Sequence, residues 1–257
     1  MTYSDDVPSY HDLAGWYDAI NEAAGKDYAA EAGAVLEVIT ELRGGRPTSL
    51  LDAACGTGRH LEAFAGEVDD VAGLDVSPEM LSIASGRLGA DVPLHEADLR
   101  DFELGRTFDA VVCLFSSIGH VADGDELDRA VTALARHVAP GGVLVIEPWL
   151  TPDRVRPGGM RSLDSAETDE GVVARAATSR EVGGVLLVEF GWAVATTGGV
   201  ATLEERHHLP LFTRERYLAS VEAAGLVASW RDDVTALRTG RGLLLGRRTD
   251  GTQGGSG

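Results

Sequence analysis

An apolar run that turns abruptly into glycines, Leu50-Leu51-Asp52-Ala53-Ala54-Cys55-Gly56-Thr57-Gly58-Arg59-His60, constrains this chain more than any other stretch. Leu61, Phe64, Ala65 and Val68 follow it at i, i+3, i+4 and i+7, a helical period. The stretch reads as strand, tight loop, helix. Glycine carries no Cβ, so the loop backbone can approach a ligand closely. The first N–H groups of the helix lack intrahelical acceptors and face the same ligand.

The same rhythm repeats downstream. Strands are expected at residues 49–53, 71–75, 93–97, 108–114 and 143–147. Ser77 with Pro78 opens one intervening helix as cap and first residue. Residues 123–137 form another, with Leu127, Val131, Leu134, Ala135 and Val138 as its stripe. The unbroken apolar run 108–114 suits a central parallel strand. Ahead of the first strand lie a helical lead-in over 10–24 and an amphipathic helix capped by Asp27. Strands alternating with helices of this length predict an α/β fold with a doubly wound, mostly parallel sheet.

After residue 149 the pattern changes. Residues 150–161 form a Pro/Gly/Arg-rich connection, and strands follow at 171–179, 185–195 and 200–210, turned at Gly183-Gly184 and Gly198-Gly199. An antiparallel insertion after the fifth strand, on the edge of the main sheet, is expected. Thr213 caps a helix to residue 224, and 226–231 with 242–247 form a last, antiparallel pair. The expected organisation is helices and core over 1–149, the insertion over 150–212, a helix and strands completing the core sheet over 213–248, and a disordered tail over 249–257.

A chain of 257 residues buries enough surface to fold without a metal or disulfide staple, and no metal is called for. The net charge of −19 argues against nucleic acid and anionic membranes as partners, since both demand a basic face. No apolar run is long enough to span a bilayer. The acidic start Met1-Thr2-Tyr3-Ser4-Asp5-Asp6 has no signal-peptide character, so a cytoplasmic location is expected. Cys55 and Cys113, the two cysteines, are then reduced thiols acting as small packing residues. Oligomeric state stays open: the insertion can cover the site, form a homodimer contact, or do both.

Two cofactor classes use a glycine loop after the first strand. A dinucleotide fingerprint needs a third glycine, and Leu61 occupies that position. The run D-x-x-C-G-T-G instead resembles motif I of the class I S-adenosylmethionine-dependent methyltransferases. That resemblance implies a Rossmann-like methyltransferase sheet, with S-adenosyl-L-methionine as methyl donor and S-adenosyl-L-homocysteine as its product. Asp75 ends the second strand, where an acid can accept both ribose hydroxyls. The family places an acid after the third strand against the adenine amino group, here Asp98 followed by Leu99. Leu114 and Phe115, at the end of the fourth strand, line the adenine and sulfonium. The full set implied is Tyr17, Tyr28, Asp52, Ala54, Gly56, Gly58, Asp75, Val76, Met80, Asp98, Leu99, Leu114 and Phe115. Each acid alone is equally a helix cap or a solvated loop charge. Four features in order at strand carboxyl ends favour the cofactor, because open α/β sheets bind ligands there.

Further stretches narrow the substrate. Gly25-Lys26-Asp27-Tyr28, Leu99-Arg100-Asp101-Phe102, Phe115-Ser116-Ser117-Ile118-Gly119-His120, Glu147-Pro148-Trp149 and Gly240-Arg241-Gly242-Leu243 resemble the dTDP-3-amino-3,6-dideoxyhexose N,N-dimethyltransferases of macrolide biosynthesis. The resemblance covers most of residues 10–247. It implies N-methylation of a dTDP-linked deoxyamino sugar, with Tyr10 and His120 flanking the amine as catalytic pair, Glu147 and Trp149 meeting the sugar, and Arg241 the diphosphate. Thr178 and Ser179 are a further substrate pair. The chain departs from the family at Leu150-Thr151-Pro152 after EPW, and at residues 232–239. Methylation of an oxygen or nitrogen on another small natural product is the alternative, with a NAD-dependent oxidoreductase behind it. An imidazole of ordinary pKa ~6.5 can take the proton an ammonium must lose before attack; the plain alternative for His120 is a satisfied loop histidine. Arg241 reads equally as a surface arginine, and the three tyrosines as core residues with a wet hydroxyl.

Overall fold

The computed structural model describes residues 10–234, 236–237 and 240–250, apart from the side chains of residues 10–12. In chain order the first half comprises α1 (Tyr10–Ala23), α2 (Tyr28–Arg43), β1 (Ser49–Ala53), α3 (Arg59–Ala65), β2 (Asp70–Asp75), α4 (Pro78–Leu88), β3 (Leu94–Glu96), β4 (Phe108–Cys113), α5 (Gly124–Arg136) and β5 (Val138–Ile146). There follow β6 (Arg161–Thr168), β7 (Gly171–Val182), β8 (Val185–Thr196), β9 (Gly199–Pro210), α6 (Arg214–Ala223), β10 (Val227–Arg231) and β11 (Leu243–Arg247).

Strand alternation decides the layers. On β1, β4 and β5, Leu51, Val111 and Leu144 face a core closed by Leu127, Val131 and Leu134 of α5 and by Tyr217 and Val221 of α6. Leu50, Val112 and Val145 face the opposite core, closed by Val35 and Ile39 of α2 and by Leu61 and Phe64 of α3. Both faces are covered, which explains the unbroken apolar runs. The seven strands lie in the order β10-β11-β5-β4-β1-β2-β3, with β1 to β5 parallel and β11 antiparallel to β5. The chain order reverses between β1 and β4, the crevice where such sheets bind ligands.

The expected caps are in place. Oδ1 of Asp27 accepts the Ala30 N–H at 3.0 Å, and Oγ of Ser77 accepts the Met80 N–H at 3.2 Å. β5 starts five residues earlier than expected and is irregular where it meets β4. A Cβ on Gly142 would lie 2.8 Å from the Ala139 carbonyl, so this bulge admits only glycine.

The insertion differs from expectation in two ways. It is a separate four-stranded antiparallel sheet, β6-β7-β8-β9, not an extension of the main sheet edge. It also contains β6, which the sequence hides. Its apolar Leu163 faces water, while Ser162 borders the cavity described below and Asp164 pairs with Arg175, so no apolar alternation marks it. The sheet's inner face packs on α1: Leu13, Trp16 and Ile20 meet Val173, Trp192 and Val194. Among the described residues no helix is long and apolar enough to cross a membrane. The expected tail lies mostly outside the described residues.

Candidate active site

The carboxyl ends of β1 and β4 carry the backbone conformations that a close-fitting ligand site demands. Gly56 (φ 55°) and Gly58 (φ 79°) are left-handed, and so are Ala54 (φ 64°), Phe115 (φ 52°) and Ser116 (φ 63°), which carry side chains. Such residues persist only where their surroundings hold them, and they concentrate at functional sites. The two glycines serve different ends. A Cβ on Gly56 would meet nothing within 4 Å, so its open face is a cradle for a ligand. A Cβ on Gly58 would lie 3.0 Å from Ala84 Cβ, so that glycine lets α4 pack against the loop.

Asp75 braces the loop from β2. Its Oδ2 accepts the Gly56 N–H and its Oδ1 the Ser77 N–H, both at 2.9 Å. Asp52 is 2% exposed and its Oδ2 has no hydrogen-bond partner. Burial, with Asp75 nearby, pushes its carboxyl up to about 8. An open glycine cradle and an orphaned buried acid fit a polar cofactor at this edge.

Val76 is exposed next to Asp75, and Met80 is buried at the start of α4. Asp98 is held by Arg100, which donates from its backbone N–H, Nε and Nη2. That contact holds the Asp98 carboxyl below its usual range, with burial opposing. Leu99 is partly buried against the core and Leu114 is fully in it. Both thiols, Cys55 and Cys113, are free and buried, and burial pushes each upward.

α1 is tied over the loop by a residue that sequence reading passed over. Asp18 accepts from Thr57 Oγ1 and from Arg87 Nη2, each at 2.7 Å. Tyr17 stands edge-on to Phe115 at 6.2 Å. Tyr28 is buried with its hydroxyl unpartnered, beside a cluster in which Glu31 takes Lys26 at 2.5 Å and His60 at 2.9 Å. Burial alone would raise Glu31, but these two partners outweigh it and hold the carboxyl low.

The segments Phe115–His120 and Glu147–Trp149 interlock. Glu147, 1% exposed, accepts the Phe115 N–H at 2.7 Å. Ser116 Oγ donates to the Pro148 carbonyl at 2.8 Å. A Cβ on Gly119 would lie 2.8 Å from Trp149 Cβ, so only glycine admits the indole there. Arg241 arrives because β11 runs antiparallel to β5, bringing the turn before it to the carboxyl end of the sheet. Its guanidinium stacks 4.3 Å over Trp149 and donates to Ser116 Oγ. Burial draws Arg241 below its ordinary value, against the pull of Glu147 and Tyr217.

These elements enclose a cavity of about 330 Å³ between α1, the sheet edge and the inner face of the second sheet. Tyr17, Met80 and Phe115 border it, with His120, Trp149 and Arg241 beside them. Glu147 lies behind this wall, unlike its expected place on it. Thr178 and Ser179 fall on opposite faces of β7: Ser179 is buried and its Oγ accepts the Met160 N–H at 3.1 Å, while Thr178 is exposed at the rim. The Tyr10 side chain lies outside the described ones. His120 lines the cavity with one edge open to solvent; the protein packed around the rest of its ring, then His207, lower its pKa, with Glu205 opposing.

The second sheet adds Arg175, Trp192, Glu205 and His207 to the wall, none anticipated from sequence. A signal was present on β9. Leu203, Glu205, His207 and Leu209 fall at every second position, which puts two ionisable groups on the apolar, inward face. Among the described residues no three His, Cys, Asp or Glu side chains converge as a metal site.

An open α/β sheet with a glycine cradle, a braced acid at β2 and a cavity against β4 defines a methyltransferase domain using S-adenosylmethionine. The family model described as a methyltransferase domain matches residues 50–142. The chain is 42% identical over 236 residues to the dTDP-3-amino-3,4,6-trideoxy-alpha-D-glucopyranose N,N-dimethyltransferase of Streptomyces venezuelae, covering 91% of this chain and 97% of that one. It is 41% identical to the dTDP-4-amino-2,3,4,6-tetradeoxy-D-glucose N,N-dimethyltransferase of Saccharopolyspora spinosa, over 92% and 93% of the two chains. Among solved structures it resembles the S-adenosylmethionine-bound amino pentose methyltransferase of calicheamicin biosynthesis from Micromonospora echinaspora. That match has a TM-score of 0.81 and 39% identity, over 91% and 97% of the chains. The chain belongs to the family of S-adenosylmethionine-dependent dTDP-amino sugar N,N-dimethyltransferases. The oxidoreductase alternative falls with that result.

Proposed function

We propose that this protein methylates the amino group of a dTDP-linked deoxyamino sugar, adding two methyl groups in turn, on a route to an antibiotic or related natural product. The observation that carries the reading is the cavity in which His120, Trp149 and Arg241 face the cofactor-side residues Tyr17, Met80 and Phe115. Gly56, Asp52, Asp75 and Asp98-Leu99 hold the cofactor, with Ala54, Gly58, Val76 and Leu114 shaping the edge and Tyr17 and Tyr28 at its methionine end. S-adenosylmethionine supplies an electrophilic methyl carbon on a sulfonium and leaves as S-adenosylhomocysteine. The protein's task is orientation and proton removal. His120 accepts the N–H proton of the sugar ammonium, which frees the nitrogen lone pair for attack. Trp149 and Ser179 hold the sugar, with Thr178 at the rim. Arg241, half-buried and with its buried Nε unpartnered, is suited to a diphosphate oxygen. Glu147 supports the wall through Phe115.

In this reading residues 1–149 hold the cofactor, 150–212 close the substrate site and 213–248 complete the sheet and deliver Arg241. A cytoplasmic location and a homodimer belong to the same reading. The dimer would use the outer face of the second sheet, where Leu163, Val172 and Val200 are exposed; a monomer in sedimentation at working concentration removes it.

The test is mass spectrometry of products from a panel of dTDP-3-amino and dTDP-4-amino sugars. A mass gain of two methyl groups on one member is expected, and His120→Asn should lower kcat while leaving S-adenosylhomocysteine affinity unchanged. Methyl transfer to none of the panel by cofactor-binding protein overturns the acceptor and favours another small natural product.

A further inference from the structure

The short 3-10 helix Ser117–His120 packs against β9, and that contact places two further ionisable side chains around His120. The His207 ring stands edge-on to His120, centroids 5.4 Å apart and planes at 76°. His207 is itself fixed on two sides. Phe190 meets it edge-to-face at 5.5 Å, and its Nε2 lies 3.7 Å from Glu205 Oε2. Glu205 is held in turn by Trp192, whose Nε1 donates to the same oxygen at 3.1 Å. Arg175 lies 5.3 Å over the Trp192 ring and is engaged by Asp164. Among the described residues, the ionisable groups lining this cavity are Glu205 and His207 on β9, Arg175 on β7, Tyr17 on α1, His120 itself, and Arg241 from the turn before β11. Of these, His207 touches the His120 ring and Glu205 lies next behind it.

We propose that Glu205 and His207 are a positioning pair for His120: the carboxylate seats the His207 imidazole, and His207 sets the orientation and charge environment of the ring that takes the amine proton. A ring free to rotate at the cavity rim would meet the substrate nitrogen only part of the time; an edge-to-face neighbour removes that freedom. The two partners act on a protonated His120 with opposite sign. A second imidazole 5.4 Å away disfavours the added positive charge, and a carboxylate behind it favours it. Two methylations of one nitrogen require two proton removals, so the base must release its first proton before the second transfer.

The inference rests on the assignment of His120 to the substrate amine, so its test includes a measurement made without substrate. Histidine-selective NMR titration of the full chain, with His120→Asn assigning the resonance, reads His120 directly. His207→Gln should strengthen His120 proton binding and Glu205→Gln should weaken it, each by roughly three- to tenfold for charges at this separation. The acid limb of kcat/KM on the amino sugar should move the same two ways, with S-adenosylhomocysteine affinity unchanged. His207→Phe, which keeps the ring contact, carries the same comparison if the glutamine variant does not fold. Shifts of one sign in both variants, or none in either, overturn the pair. Opposite NMR shifts in a protein that methylates no amino sugar uphold the pair and overturn the acceptor instead.

Discussion

Glu147 Oε2 accepts the Phe115 N–H at 2.7 Å, joining the residue after β5 to the left-handed residue after β4. A fully buried carboxylate here supports the cavity wall through the backbone. Glu147→Ala would leave that N–H unpaired in a dry setting, at a cost of about 1–3 kcal/mol. A lowered melting temperature should accompany a fall in kcat, and Glu147→Gln, which keeps an acceptor, should recover most of both. Calorimetry with steady-state kinetics separates the two variants.

Asp75 holds two backbone N–H groups and stays partly open beside the glycine loop. Asp75→Ala should weaken S-adenosylhomocysteine by about 10- to 100-fold, the worth of a charge-assisted hydrogen bond. Isothermal titration calorimetry measures it. Unchanged affinity would remove Asp75 from the cofactor site and leave it a loop brace.

The two loop glycines should fail differently. Either alanine variant incurs about 1–2 kcal/mol for the left-handed backbone. Gly58→Ala adds overpacking against Ala84, about 1–3 kcal/mol more, and should melt lower. Gly56→Ala fills open space and should lose cofactor affinity out of proportion to its stability. Melting curves and titrations of the pair check this double dissociation.

Asp52 gives an unusual pH dependence. Its folded pKa, about 8, lies above the ordinary 3.8, so the folded state keeps a proton that the unfolded state has lost between those values. Stability from this group is therefore complete below about pH 4 and declines as pH rises toward 8. Asp52→Asn, a neutral mimic, should raise the melting temperature of the unliganded protein by several degrees at neutral pH and flatten this slope, at about 2–4 °C per kcal/mol for a chain of this size. Urea midpoints across pH 5–8 measure the slope in both proteins. A lower midpoint for the variant at every pH would contradict the assignment.

Much of the fold was legible because its signals are local. Helix period, capping Asp27, Ser77 and Thr213, and the Gly183-Gly184 turn each act within a few residues, and the strand–helix order they mark is the order observed. β6 was not legible: its single large apolar side chain faces water, while Ser162 borders the cavity and Asp164 pairs with Arg175. That the motifs after β1, β2 and β4 lie together could be read in advance for a related reason. Parallel strands in sequence bring their carboxyl ends together, so motifs at those ends become neighbours by topology alone.

The substrate wall obeys no such rule. Arg175 donates to Asn21, 154 residues away, and β9 meets His120 across a separate sheet whose placement depends on α1 packing beneath it. The sequence by itself determined the sheet, its glycine cradle and the class of cofactor, since those follow from local backbone preference and strand order. Which residues surround His120 was decided by the docking of the second sheet onto α1 and the β4 edge, a contact driven by non-directional apolar burial that leaves little mark in any one stretch of chain.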